Sequence, residues 1–281
     1  MPEALDLIGA GGLRLRADRY DGRRERGTVV LLHGGGQNRH SWSRTAVEAA
    51  AHGWDAITID ARGHGDSDWA PDGDYSPAVM VRDLQAVLGT LAIRPVLVGA
   101  SMGGLVALQA VGADPLLARA IVLADIVPDP EPEGVARVLG FLRGHADGFD
   151  TLDEARAAIR AYDEAEGRGW RPDAPDRVER HLRRDGQRWR WHWDPAVLGS
   201  ADQLATPAQR AVWSAAVRSL RVPCLLVRGR RSDVVSGDGV DRILRESSAV
   251  RSVEVDTGHR VTGQDNDAFG VALVTFLADL R

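Results

Sequence analysis

Short apolar runs alternate along the chain with longer segments of helical periodicity. Six runs have strand length: residues 28–32, 55–60, 95–98, 120–124, 222–228 and 251–255. They are apolar on both faces, as parallel strands are when helices cover both sides of a sheet. Helical patterns separate or follow them at residues 44–52, 77–92, 104–111, 238–246 and 268–280. This alternation predicts an α/β fold with a mostly parallel, doubly wound sheet, and residues 4–7 and 13–18 predict an edge hairpin.

The alternation stops between residues 126 and 219. This stretch opens with the turn-rich sequence PDPEP at residues 128–132, and helical patterns follow at residues 134–142, 152–166, 175–184 and 207–217. We therefore predict an all-helical cap, residues 128–217, inserted late into a core domain formed by residues 1–127 and 218–281.

The most specific motif is G-x-S-x-G, which runs from Gly99 through Ser101 to Gly103. It lies between a predicted strand and a predicted helix. A sharp turn there needs small neighbours and leaves the serine hydroxyl exposed at a helix N-terminus, where backbone N–H groups favour a developing oxyanion. Ser101 is the candidate nucleophile; the alternative is a tight turn that contains an incidental serine.

Together with three further motifs, this turn resembles the α/β-hydrolase superfamily, in its serine-nucleophile branch with a helical cap. The motifs are HGGG at residues 33–36, DARGHGDS at residues 60–67 and the late Gly258-His259 pair. The segment TGHRVTGQDNDAF at residues 257–269 is similar to the tail of a bacterial branch described as hydrolase, peroxidase-like or epoxide-hydrolase-like. The chain resembles bacterial esterase or lactonase and peroxidase-like hydrolases. The resemblance covers the chain outside the cap and implies a serine hydrolase.

A serine nucleophile needs a base, and the base needs a carboxylate that fixes its tautomer. His259 follows the last predicted strand and is the candidate base. Asp233 is the preferred acid, because the chain order Ser101, Asp233, His259 is the one expected for this fold. Asp125, which follows the strand at residues 120–124, is the alternative acid.

Backbone and aromatic groups complete the predicted site. The oxyanion hole is predicted at the N–H groups of Met102 and Gly35, with Gly36 as the alternative to Gly35 and as a substrate contact. If their segment is extended, Trp189, Trp191 and Trp193 share one face and can line a substrate pocket. Anchoring of the cap to the core is the competing interpretation.

The amino-acid composition limits the kinds of molecule that the protein is expected to bind. The 281 residues carry 35 basic residues, all of them Arg, against 40 acidic ones, and the net charge of -5 argues against a nucleic-acid binder. The single cysteine, Cys224, excludes an internal disulfide and a multi-cysteine metal site. Without a signal pattern or an apolar run of membrane-spanning length, we expect a cytoplasmic protein with no membrane partner. We also expect a small-molecule substrate, no cofactor, no metal, and a monomer or homodimer.

The function expected from these features is hydrolysis of a small hydrophobic carboxylic ester or lactone through an acyl-enzyme intermediate. An aspartate at the elbow would favour alkyl-enzyme chemistry, but this chain has Ser101 there. Other reactions on the same fold and triad remain open: C–C bond hydrolysis, perhydrolysis, epoxide opening and cofactor-free lyase or cyclase chemistry. A non-catalytic small-molecule receptor is the alternative of a different class.

Overall fold

The computed structural model describes residues 1–23, 25–165, 176–204, 206–261 and 267–280. The middle of the tail motif, residues 262–266, lies outside the described residues. Within the described ranges no helix has an apolar stretch long enough to span a membrane.

Among the residues that the structure describes, ten strands form one large sheet and one small hairpin. The strands are β1 (Glu3–Ile8), β2 (Arg14–Tyr20), β3 (Gly27–Leu32), β4 (Trp54–Ile59), β5 (Val96–Ala100), β6 (Ala120–Ala124), β7 (Leu182–Asp185), β8 (Arg188–Trp191), β9 (Cys224–Gly229) and β10 (Val250–Val255). The large sheet has the order β1-β2-β4-β3-β5-β6-β9-β10. In this sheet, strand β2 pairs antiparallel with β1 and β4, and all the other neighbouring strands are parallel. The predicted fold class and edge hairpin are confirmed.

Ten α-helices accompany the strands in the described residues. They are α1 (Ser43–Ala51), α2 (Pro77–Leu88), α3 (Met102–Ala113), α4 (Pro132–Gly144), α5 (Leu152–Ala165), α6 (Asp176–Glu179), α7 (Val197–Leu204), α8 (Pro207–Ser219), α9 (Gly237–Glu246) and α10 (Asp267–Asp279). Helices α1 and α10 cover one face of the sheet, and α2, α3, α8 and α9 cover the other.

Alternation along each central strand divides the core into these two layers. In β3, Val30 packs towards α2 and α3, whereas Val29 and Leu31 pack towards α1 and α10. All three side chains are fully buried. Because both faces are covered, the central strands have to be apolar throughout, which is the pattern that the sequence shows.

The cap contains a β-hairpin, so the prediction of an all-helical insertion is wrong. Residues 175–184 were expected to be a helix, but α6 ends at Glu179 and the chain then forms β7. Strand β7 pairs with β8 in antiparallel register, with Leu182 opposite Trp191. Hydrogen bonds between the strands replace those of a helix there. The hairpin packs in a separate apolar cluster with α4 and α5, around the buried Phe149.

Helix α8 lies within the predicted cap range but packs against α3 of the core. Trp213 is fully buried in the core cluster, and a Cβ added to Gly112 of α3 would lie 2.4 Å from the Ala216 side chain. The part of residues 128–217 that is separate from the core therefore ends before α8.

Candidate active site

Ser101 occupies a strained turn between β5 and α3. Its φ of 45° and ψ of -117° lie where a side chain is rarely tolerated. Two glycines permit this turn. A Cβ on Gly99 would lie 2.5 Å from the carbonyl of Gly103, and one on Gly103 would lie 2.5 Å from the Leu32 oxygen. The G-x-S-x-G spacing is therefore required by close backbone approach on both sides of the serine.

His259 lies against Asp125. The distance from His259 Nδ1 to Asp125 Oδ2 is 2.8 Å, and both side chains are almost completely buried. Since an ionised carboxylate only accepts hydrogen bonds, Nδ1 carries the proton and Nε2 keeps its lone pair. That is the tautomer in which Nε2 can take a proton from a nucleophile.

Asp125 is held at the end of β6 by further donors. Its φ of 51° turns the backbone sharply directly after the strand. The N–H of Gly229 donates to Oδ1 at 2.7 Å, and the hydroxyl of Ser232 donates to Oδ2. With His259, three donors hold a carboxylate that has no exposed surface. Burial of a charge without such partners would be costly.

Asp233, the acid preferred from the sequence, pairs with a different residue. Both of its oxygens accept from Arg137 of α4, Oδ2 from Nε at 2.5 Å and Oδ1 from Nη2 at 2.7 Å. Its side chain is 46% exposed. The Arg137 guanidinium lowers the pKa of the Asp233 carboxyl below its ordinary value. The expected Asp233–His259 contact is thus corrected to Asp125–His259, because β6 presents its terminal carboxylate to the histidine while Asp233 ties the following loop to the cap.

The glycine loop after β3 lies over the elbow. A Cβ added to Gly34 would lie 3.4 Å from the Cβ of Ser101, which is ordinary contact distance. Met102, the first residue of α3, has an N–H with no partner one turn earlier in the helix. The loop and the helix N-terminus therefore both present backbone to the serine.

Within this loop the three N–H groups differ in their partners. The N–H of Gly34 donates to Gln37 Oε1 at 3.1 Å, and that of Gly36 to His64 Nε2 at 3.4 Å. The N–H of Gly35 has no partner in the described part of the chain. Of the two glycines expected as the oxyanion donor, Gly35 is the one whose N–H is available.

Buried histidines brace this loop. His33 Nδ1 donates to the Gly34 carbonyl at 2.8 Å, and His64 receives the Gly36 N–H. In the cap, His192 Nδ1 accepts the N–H of Gly65 at 2.8 Å. Burial lowers the pKa of His33 to about 4 and that of His64 to about 3, so both rings are neutral at neutral pH.

A cavity of about 390 Å³ connects the core to the cap at Ser101 and His259. Most of its lining is apolar, and the cap contributes Phe141, Leu142, Ile159, Tyr162, Val197 and Leu198 to it. The arrangement suits a small, mostly apolar molecule whose reactive carbon reaches the serine.

Trp191 and Trp193 line this cavity, with ring centroids 6.3 Å apart and planes at 13°. Trp189 is not among its described lining residues, and that expectation is corrected. It lies nearer the hairpin turn, opposite Arg184, whose guanidinium stacks 5.1 Å from its ring. Gly36 lines the cavity, and a Cβ there would lie 2.7 Å from Leu142.

Neither a metal-binding cluster nor the cysteine contributes to the site in the described residues. Across the described ranges, no three His, Cys, Asp or Glu side chains are grouped to hold a metal ion. Cys224 is buried in β9, and burial raises the pKa of its thiol to about 12, which leaves it protonated and unreactive.

Sequence reasoning missed two contributors to the site. They are Ser232, which donates to Asp125, and the apolar lining from α4 and α5, which depends on tertiary packing. One indication of the role of Ser232 was present in the sequence, because this small hydroxyl residue follows the end of β9 by three residues.

Comparison with known proteins supports this fold and an esterase-type hydrolase. Residues 29–270 match the family model described as "Alpha/beta hydrolase family". The chain is 30% identical to esterase Rv0045c of Mycobacterium tuberculosis over 100% of this chain and 91% of that protein. It is 28% identical to the 3-hydroxybutyrate-oligomer hydrolase of Cupriavidus necator over 81% of each. A solved alpha/beta hydrolase from Novosphingobium aromaticivorans superposes with a TM-score of 0.83 at 25% identity, over 99% of this chain and 98% of that one.

Proposed function

The chain belongs to the alpha/beta hydrolase family and is an esterase-type enzyme, and from that premise we propose that it is a serine hydrolase with the triad Ser101, His259 and Asp125. Its proposed substrate is a small hydrophobic carboxylic ester or lactone. The observation that carries the proposal is the His259–Asp125 hydrogen bond at 2.8 Å, at a cavity that Ser101 also lines.

In the proposed reaction, Ser101 Oγ attacks the ester carbonyl carbon while His259 Nε2 takes the hydroxyl proton. The tetrahedral intermediate collapses as the C–O bond to the alcohol breaks, and His259 returns the proton to the departing oxygen. Water then attacks the acyl-enzyme with His259 again as base, which releases the acid and restores Ser101. Asp125 stays ionised throughout and stabilises the imidazolium.

The carbonyl oxygen becomes negative in each tetrahedral intermediate, and we propose the N–H groups of Gly35 and Met102 as its donors. The hydrogen bonds of the glycine loop support the choice of Gly35 over Gly36, because the Gly36 N–H already donates to His64. Loss of one oxyanion donor typically costs about 3 kcal/mol of transition-state stabilisation.

The proposed substrate class rests on the cavity and on the relatives. A space of about 390 Å³ lined mostly by apolar side chains favours a compact hydrophobic acyl or alcohol group. The two named relatives, an esterase and an oligomer hydrolase of a hydroxy acid, are consistent with ester or lactone cleavage. We also propose that no cofactor takes part, since each step above uses side chains and backbone of this chain.

The test is labelling of the folded protein with a small fluorophosphonate, followed by peptide mass mapping and a panel of short-chain esters and lactones. The expected result is stoichiometric modification at Ser101, lost in Ser101→Ala and strongly slowed in His259→Ala. Ser200→Ala is the matched control, because Ser200 is a second serine that lines the same cavity. Modification of another serine, or full ester turnover by Ser101→Ala, would refute the proposal.

A further inference from the structure

The hydroxyl of Ser232 makes hydrogen bonds both as a donor and as an acceptor. Its oxygen accepts the N–H of Val234 at 3.2 Å and that of Val235 at 3.1 Å. The hydroxyl has a single proton, and that proton has one acceptor, Asp125 Oδ2. The direction of the Ser232–Asp125 hydrogen bond is therefore fixed by the turn in which the serine lies.

This bond reaches the same carboxylate oxygen that His259 uses. Oδ2 of Asp125 receives both the Ser232 hydroxyl and His259 Nδ1, while Oδ1 receives the N–H of Gly229. Two donors come from the end of β9 and the loop after it. Together they fix the rotation of the carboxylate and hence the line along which it meets the imidazole ring.

We propose that Ser232 is a positioning residue for the reaction, acting through Asp125 on His259. This inference rests on the proposed function, because it assumes that His259 is the base. In the loop after β9, the hydroxyl of Ser232 therefore contacts Asp125 of the site, whereas the carboxylate of Asp233 binds Arg137 of the cap.

The inference predicts a specific kinetic signature. A misoriented imidazole slows proton transfer but leaves the apolar cavity unchanged, so kcat should fall and KM should not. The hydroxyl proton also draws charge from Oδ2. Its removal leaves more negative charge facing the imidazolium, so the acid limb of the kcat/KM profile should move to higher pH.

The experiment compares Ser232→Ala, Ser232→Thr and Ser236→Ala in ester hydrolysis from pH 5 to 9. Ser236 is the matched control: its hydroxyl accepts the N–H of Gly239 at 3.2 Å in the same loop but has no bond to Asp125. We expect Ser232→Ala to lose about 10-fold in kcat, less than the roughly 100-fold or more contributed by a group that itself transfers the proton, because Ser232 acts through Asp125. Ser232→Thr, which keeps the hydroxyl, should restore most of it, and Ser236→Ala should match the wild type.

Equal kcat and equal pH profiles for Ser232→Ala and Ser236→Ala would overturn the inference and leave Ser232 as a turn residue. If Ser232→Ala does not fold, Ser232→Cys retains the side-chain size with a weaker donor and should show the same kcat loss in reduced form. Fluorophosphonate labelling separates the two hypotheses. Labelling of wild-type Ser101 with an unaffected Ser232→Ala rate contradicts only the role of Ser232, whereas no labelling of wild-type Ser101 contradicts the proposed function as well.

Discussion

The loops after β6 and β9 both begin near an aspartate at the same edge of the sheet, yet they place it in opposite environments. Asp125 directly follows β6, is fully buried and has Gly229, Ser232 and His259 as donors. Asp233 follows β9 by four residues, is 46% exposed and pairs with an arginine of the cap. Parallel strands bring both aspartates to one region, but only one contacts the histidine.

The difference shows that strand ends mark two candidate aspartates, whereas burial and hydrogen-bond donors decide which of them meets the histidine. A carboxylate that orients a base has to stay ionised in a buried place, which requires compensating hydrogen bonds. Besides His259, Asp125 receives them from Gly229, the last residue of β9, and from Ser232 in the loop that follows. The β9 carboxylate, being close to solvent, is instead used to hold α4.

The largest effect is expected for Asp125→Asn. An asparagine amide that donates to Nδ1 would hold His259 in the wrong tautomer, with its proton on Nε2. By analogy with the known effect of this change in a serine protease triad, kcat should fall about 10,000-fold. Ester hydrolysis under saturating substrate measures it, with circular dichroism to confirm folding. Retention of a tenth of the wild-type kcat would break the comparison.

A backbone change at the end of β9 should disturb Asp125 and His259 together. A Cβ in Gly229→Ala would lie 2.3 Å from the Gly258 oxygen and 2.8 Å from that of Thr257, so the histidine loop has to move. A shift of about 1 Å can cost about 100-fold in rate, and overpacking costs about 1–3 kcal/mol in stability. Activity assays and urea unfolding measure both.

Gly237→Ala is the matched control for that experiment. Gly237 is the first residue of α9, and a Cβ there would meet nothing within 4 Å. It should leave activity and the unfolding free energy near wild type. Wild-type activity in Gly229→Ala would contradict the account of how β9 supports Asp125.

The buried histidines that brace the glycine loop should make the free energy of unfolding depend on pH in the acidic range. His33 has a folded pKa of about 4 and His64 of about 3, against about 6.5 for an unfolded histidine. Below pH 6.5 the unfolded chain therefore binds protons that the folded chain does not. The free energy of unfolding should fall as the pH drops from 6.5 towards 4, by up to about 1.4 kcal/mol per pH unit for each histidine.

Urea unfolding at pH 7, 6 and 5 measures this slope. His64→Gln should reduce it, whereas His52→Gln, at an exposed position, should not. Asp233 acts in a lower range: its depressed pKa stabilises the fold above about pH 3.8, and that contribution is lost as the pH falls further. A flat stability between pH 7 and 5 would contradict the prediction.

The smallest effect is expected for Asp233→Asn. The Asp233–Arg137 pair is partly exposed, and such pairs contribute at most about 1 kcal/mol, less at high salt. The kcat should stay near that of the wild type, because Asp233 pairs with Arg137 and not with His259. Thermal unfolding with and without added salt, beside ester hydrolysis, tests this expectation, and Arg137→Gln should behave alike. A loss as large as that of Asp125→Asn would reverse the comparison.

The sequence predicted the main sheet well because its central strands are apolar on both faces. It failed in the cap, where β7 and β8 are rich in arginine and resemble the exposed face of a helix. A turn signal was present in the dipeptide Gly186-Gln187 between the two strands, because the φ of 60° at Gly186 suits the first position of a tight hairpin turn. Read beside the alternation of Trp189 and Trp191, that dipeptide predicts the hairpin.

The site was predicted in part for a related reason. Ser101 and His259 lie in local motifs, so their placement at one cavity follows from short stretches of sequence and strand order. The choice between Asp125 and Asp233 depends on burial and on donors 104 and 107 residues away, Gly229 and Ser232. No local pattern contains that information.

The most direct test of the central claim is the rate at which a fluorophosphonate labels Ser101 in Asp125→Asn and in Asp233→Asn, measured side by side. This rate reports the activated serine and its base without knowledge of the natural substrate. The account predicts that labelling slows by at least about 100-fold in Asp125→Asn, because the base is held in the wrong tautomer, and stays near wild type in Asp233→Asn. Slow labelling in Asp233→Asn with a normal rate in Asp125→Asn would contradict it.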